Sequence, residues 1–117
     1  RVDYALRHNH FPTGPWRSVG ATQNAFFLES FIDEIAHATA RDPVQLRREL
    51  LAHDPRALRV IDEAARRGGW GTPVKPGHAL GFAYFECYGS LCAHVAEGSI
   101  KDGAPRVHRV VCVLDCG

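Results

Sequence analysis

Backbone amides, more than side-chain nucleophiles, are the reactive groups this chain advertises. Pro12-Thr13-Gly14-Pro15-Trp16-Arg17-Ser18-Val19-Gly20-Ala21-Thr22-Gln23-Asn24 is a turn-rich stretch that runs directly into an apolar segment with helical spacing. A loop entering a helix leaves N–H groups without intrahelical partners at the positive end of the helix dipole, a setting that suits an anionic ligand. The same residues also support an architectural reading, in which Gly14, Pro15 and Gly20 shape a connection and Thr22 caps a helix.

Side-chain chemistry is sparser. His8-Asn9-His10 puts two imidazoles on one side of an extended segment, but no third ligand follows and a surface loop explains the pattern better. Glu86 and Glu97 stand among strand formers without a partner spacing that would make them an acid–base pair. Cys116 follows Asp115, yet no histidine is placed by sequence to activate it. The spacings of Cys87, Cys92, Cys112 and Cys116 match neither a zinc ribbon nor a secreted disulfide framework. Reduced, partly buried thiols are expected, with Cys87, Cys92 and Cys112 acting as small hydrophobes. There is no nucleophile elbow, phosphate-binding glycine loop or dinucleotide fingerprint.

The elements that must position the loop can be read from punctuation. Thr22 is the expected N-cap of a first helix ending near Arg41, with Ala25, Leu28, Ile32 and Ile35 as its apolar stripe, Phe27 and Phe31 beside them, and Glu29, Asp33 and His37 outward. Asp42-Pro43 and Asp54-Pro55 each pair a cap with a proline at the first helical position. Gln45 stands where a capping-box variant would need it. Leu46, Leu50 and Leu51 give the second helix its apolar face; Leu58, Ile61, Ala64 and Ala65 carry the third to a stop at Gly68-Gly69. A short strand is expected near residues 2–6. Beyond Pro76-Gly77, two strand-forming runs flank Gly89, a bend or bulge, and Lys101-Asp102-Gly103 turns the chain into a return strand over residues 106–114. The continuous apolar run at 110–114 predicts burial on both faces. The fold class is therefore α+β: about three helices followed by an antiparallel hairpin or small sheet.

With 117 residues the chain fits one domain, 1–117. Its 14 Lys and Arg against 13 Asp and Glu leave no basic face for nucleic acid, and no apolar run could span a bilayer. The chain contains no methionine, which suits an internal segment of a longer protein. The lack of plausible disulfides leans toward a reducing, cytoplasmic compartment over a periplasmic one.

Three blocks resemble one enzyme family. They are the stretch from Pro12 to Phe26 continuing into Glu29-Ser30-Phe31-Ile32-Asp33-Glu34, then Gly69-Trp70-Gly71-Thr72-Pro73, then Val107-His108-Arg109-Val110-Val111-Cys112-Val113-Leu114-Asp115-Cys116-Gly117. They look like the molybdopterin-binding large subunit of molybdenum hydroxylases, of the isoquinoline oxidoreductase or aldehyde dehydrogenase type. The resemblance implies an oxidoreductase that hydroxylates an N-heterocycle or oxidises an aldehyde, with water as the oxygen source. It implies a molybdopterin cytosine dinucleotide cofactor and a small partner subunit carrying two 2Fe–2S clusters. The family's loop has a Phe-Arg-Gly-Phe-Gly core, and Trp16, Arg17, Ser18, Val19 and Gly20 stand in that order here. By that correspondence Trp16, Arg17, Ser18 and Gly20 are cofactor-binding, with Arg17 approaching molybdenum through its main-chain N–H. Val19 takes the position where relatives place a substrate-contacting aromatic, and so implies a different or roomier pocket. The family's base lies in a Gly-Glu-Pro-Gly motif that these residues do not contain. No catalytic residue is therefore assigned, and the chain alone is expected to be inactive, to hold no cofactor and to self-associate. The rival reading is a free-standing module in which the hairpin edge and Cys/His residues hold a protein partner or zinc.

Overall fold

The computed structural model describes residues 3, 5, 7 and 10–117. The strand expected near residues 2–6 and the His8-Asn9-His10 pair rest on positions outside the described residues. Three helices come first: α1 (Ala21–Ala38), α2 (Pro43–Leu50) and α3 (Pro55–Gly68). The Asp-Pro starts work as their chemistry requires. The Asp42 carboxylate accepts from the Gln45 N–H at 2.8 Å, and Asp54 accepts from the amides of Arg56 and Ala57 at 2.8 and 3.1 Å. The Gln45 side chain turns to Glu49 instead of back to Asp42, so the capping box is half made. α3 ends on Gly69, whose φ of 74° is the left-handed conformation of a helix C-cap.

Strands β1 (His78–Cys87), β2 (Ser90–Lys101) and β3 (Ala104–Asp115) form an antiparallel meander in the order β1-β2-β3. Both hairpins turn on two residues with positive φ: Tyr88 (52°) and Gly89 (76°), then Asp102 (53°) and Gly103 (74°). That is the primed-turn geometry whose twist matches the flanking strands, so Gly89 is a hairpin turn and not a bulge. The bulge lies elsewhere. Glu97 pairs with Arg109 and Gly98 with Val107, which leaves His108 as the extra residue of β3.

One face of the sheet is covered by α3. Ala57, Val60, Ile61, Ala64 and Ala65 pack against Phe82, Tyr84, Leu91, Ala93 and Val95 in a single core cluster. Gly68 allows the closest approach. A Cβ at this position would lie 2.5 Å from the Cβ of Val95, so no side chain fits there. The Arg109 guanidinium caps the end of α3 by donating to the Gly68 carbonyl at 2.6 Å. Arg56 pins the end of β3, with Nε to Asp115 Oδ2 at 2.8 Å and Nη2 to Oδ1 at 2.7 Å, a bidentate pair that holds the Asp115 carboxyl well below its usual range.

α1 departs from its expected orientation. Leu28, Phe27 and Phe31 are exposed, as is Phe26, whereas Glu29 and Ala36 are buried. Among the acidic residues of the helix only Glu29 turns inward, because it has partners there; Asp33, Glu34 and His37 stay exposed. Its carboxylate accepts from the Arg47 Nε at 2.8 Å and from the Tyr84 N–H at 2.6 Å. Tyr84 lies on an edge strand, and its outward N–H would otherwise have no acceptor. Arg47, only 2% exposed, also donates to the Pro43 and Glu29 carbonyls and pairs with Asp33 at 2.9 Å. One charged network thus ties α1 to α2 and β1. Leu50, expected on the buried face of α2, is exposed while Arg47 is buried. The run at 110–114 is likewise not buried on both faces: Val110, Cys112 and Leu114 are exposed on edge strand β3.

Candidate functional site

The loop ahead of α1 is built from main-chain contacts. Ser18 and Val19 adopt positive φ (67° and 48°), a conformation that is costly for a β-branched residue such as Val19. The resulting turns are closed by the Val19 N–H to Trp16 O at 3.0 Å and the Ala21 N–H to Ser18 O at 2.9 Å. Thr22 is not the N-cap. It lies in the first turn of α1, and its hydroxyl donates to the Arg17 carbonyl at 2.8 Å, fastening the loop to the helix. The N-cap is Gly20, which has no side chain to satisfy the first-turn amides. Among the described residues the amides of Thr22 and Gln23 meet no acceptor.

All five expected site positions therefore lie on one short turn. Trp16 and Val19 are 70% and 65% exposed, so the indole does not pack beneath the loop. Arg17 and Ser18 are exposed, and Gly20 is half-buried at the helix start. A Cβ at Gly20 would meet only the Asn24 amide nitrogen, at 3.5 Å, and one at Gly14 would meet nothing within 4 Å. The turn is thus open, and among the described residues the main-chain amides of Trp16, Arg17, Ser18 and Gly20 meet no main-chain acceptor. Its donor set fits an anion approached from solvent.

The remaining sequence candidates are dispersed. Glu86 and Glu97 sit near opposite ends of the β1–β2 hairpin. Glu97 is held by His78 Nδ1 at 2.6 Å, which keeps its carboxyl below the ordinary value; the His78 ring in turn stacks on His108 at 4.1 Å. Trp70 packs edge-on against Phe82 and donates its indole N–H to Asp42 at 2.8 Å, so the Gly69-Trp70-Gly71 block joins the end of α3 to the start of α2. All four cysteines are free, and Cys112, expected to be partly buried, is exposed because it lies on the sheet face turned away from α3. The Glu29–Arg47 pair escaped sequence reading. A Glu adjoining the apolar stripe of one helix, with an Arg among the leucines of the next, is the only signal it leaves. Among the described residues no helix is long and apolar enough to cross a membrane.

Residues 2–51, which hold the loop and α1, match the family model described as Molybdopterin cofactor-binding domain. The chain is 36% identical over 120 residues to a nicotinate dehydrogenase subunit of Pseudomonas putida, covering 86% of this chain and 10% of that protein. It is 32% identical over 106 residues to the beta subunit of isoquinoline 1-oxidoreductase from Brevundimonas diminuta, covering 86% of this chain and 14% of that protein. The molybdopterin-domain match and these two relatives define a cofactor-binding segment of oxidoreductase type. The chain belongs to the molybdenum hydroxylase family, among its molybdopterin-binding subunits. It spans between a tenth and a seventh of the length of these relatives. No solved structure matches it.

Proposed function

We propose that this chain is one segment of the large subunit of a molybdenum hydroxylase and supplies part of the wall that holds its cofactor. The observation that carries the reading is the set of main-chain amides at Trp16, Arg17, Ser18, Gly20, Thr22 and Gln23 that meet no acceptor among the described residues, within the stretch that matches the cofactor-binding domain. Main-chain N–H groups of Trp16, Arg17, Ser18 and Gly20 would hold the anionic oxo and sulfur ligands of a molybdopterin cytosine dinucleotide, with the Arg17 amide nearest the metal. When bound, that cofactor supplies two-electron oxidation of an electron-poor carbon, with water as the oxygen source. The residues of this chain orient and stabilise negative charge through rigid donors that need no reorganisation. Val19, beside them on the exposed turn, faces the substrate, an N-heterocycle or an aldehyde.

The base that activates water comes from another part of the large subunit, and electrons leave through a small subunit with two 2Fe–2S clusters. On this reading the exposed Phe26, Phe27 and Phe31 of α1, and Val110 and Leu114 of β3, are surface that the rest of the large subunit covers. Separated from it, the chain is inactive and self-associates through that surface.

Metal and nucleotide analysis of the full-length protein, purified from molybdate-fed cells and assayed for dye reduction with N-heterocycles and aldehydes, tests this. Molybdenum near one per chain with cytosine nucleotide and turnover is expected. A protein free of molybdenum and inert toward both substrate classes would refute it.

A further inference from the structure

We propose that Cys92, His94 and Cys112 form a zinc(II) site on the open face of the sheet, with three protein donors and a fourth position left to water or another small ligand. The alternation of β2 puts Cys92 and His94 on the face away from α3, and the β2–β3 register sets Cys112 directly across from His94 and diagonal to Cys92. Their ligand atoms lie within 4.8 Å of one another. The two sulfurs are 3.6 Å apart, and Cys92 Sγ is 3.5 Å from His94 Nε2.

Those separations discriminate between outcomes. A disulfide needs about 2.0 Å between sulfurs. Tetrahedral zinc, with Zn–S near 2.3 Å and Zn–N near 2.05 Å, sets its ligands about 3.8 Å apart for S···S and about 3.6 Å apart for S···N. The thiols therefore already stand close to the spacing of co-ligands. Without a cation one thiol donates its S–H to the other sulfur. On binding, both S–H bonds break, two protons leave to solvent, and two thiolates neutralise the divalent charge. Two thiolates and an imidazole are soft donors that select zinc over magnesium or calcium. His94 and Cys112 are exposed, and their neighbours on this sheet face, Ala83, Phe85, Ala96, Val110 and Leu114, carry no charge; Glu29 and Asp33 of α1, which line the same cavity as Cys92 and His94, are both paired with Arg47. The site stands apart from the loop ahead of α1, but it shares its face with Val110 and Leu114, so in the full large subunit its fourth position opens toward the segment that covers them.

Cobalt(II) titration of the reduced chain, followed by displacement with zinc, reads the site directly. One equivalent should bind, with the strong visible bands of tetrahedral cobalt and a thiolate charge-transfer band. Cys112→Ser and His94→Ala should each weaken binding, on the order of 100-fold for the lost thiolate, while Cys116→Ser leaves it unchanged. Circular dichroism checks that each variant is folded. Independently of any variant, zinc should protect Cys92 and Cys112 of the unaltered chain from alkylation and leave Cys116 reactive. Absence of stoichiometric binding, binding that survives both ligand substitutions, or alkylation of Cys92 and Cys112 unaffected by zinc would each overturn the site.

Discussion

Replacing Arg47 with methionine is expected to destabilise the fold by about 3–5 kcal/mol, the usual consequence of leaving one partner of a buried ion pair uncompensated. Methionine fills much of the volume that arginine leaves, so the loss reports charge more than packing. Glu29 would keep the Tyr84 N–H but lose its cation, and the donations to the Pro43 and Glu29 carbonyls would go too. The variant also carries a pH signature. Burial already raises the Glu29 carboxyl above its ordinary value, against the opposing pull of the Tyr84 N–H and of Arg47, and removing Arg47 raises it further. A carboxyl raised in the folded state binds its proton more tightly there than in the unfolded chain. The penalty is therefore fully present above the folded pKa and fades as pH falls through it toward the unfolded value. Urea melts of variant and parent at about pH 5 and about pH 8 should show the smaller difference at the lower pH. An equal deficit at both would mean that Glu29 is not the group left stranded.

The second large effect belongs to the loop in the full-length protein. If the Arg17 main-chain N–H is the working group, Arg17→Ala keeps it and should retain most of the turnover, whereas Arg17→Pro deletes it. Loss of one preorganised donor to developing negative charge lowers kcat by about 10²–10³-fold. The Thr22 hydroxyl bond to the Arg17 carbonyl remains available in both variants, so the turn keeps its anchor to α1. Steady-state kinetics with molybdenum content measured in parallel check the pair. Equal activity in the two variants would remove the amide from the mechanism. A collapse on Arg17→Ala would assign the role to the guanidinium instead.

What could be read from sequence followed the range of the interactions involved. Asp42-Pro43 and Asp54-Pro55 mark helix starts because a cap and its amides lie within three residues, and Asp102-Gly103 marks a turn because both residues tolerate positive φ. The three helices and the antiparallel sheet were legible for that reason. The rotation of α1 was not. Spacing alone places Leu28, Phe27 and Phe31 inside and Glu29 outside, yet Glu29 is drawn inward by Arg47, 18 residues on, and by the Tyr84 N–H, 55 residues on. No local pattern encodes partners at that distance. The apolar run at 110–114 misled in the same way, since burial of β3 depends on what lies beyond the sheet edge. Within the loop, Thr22 has the chemistry of an N-cap, but its hydroxyl reaches back to Arg17 and leaves the cap to Gly20. The Cys92, His94 and Cys112 cluster matches no linear ligand spacing because cross-strand register, not sequence proximity, assembles it.

The most direct measurement is a crystal structure of the molybdenum-loaded full-length protein, read at the turn formed by residues 16–20. The expected result is the Arg17 main-chain N–H within hydrogen-bond reach, about 3 Å, of a ligand atom on the metal, with Val19 turned toward the substrate cavity. A metal centre surrounded by other segments, with this turn on the outer surface, would contradict it and reduce the loop to a connection ahead of α1.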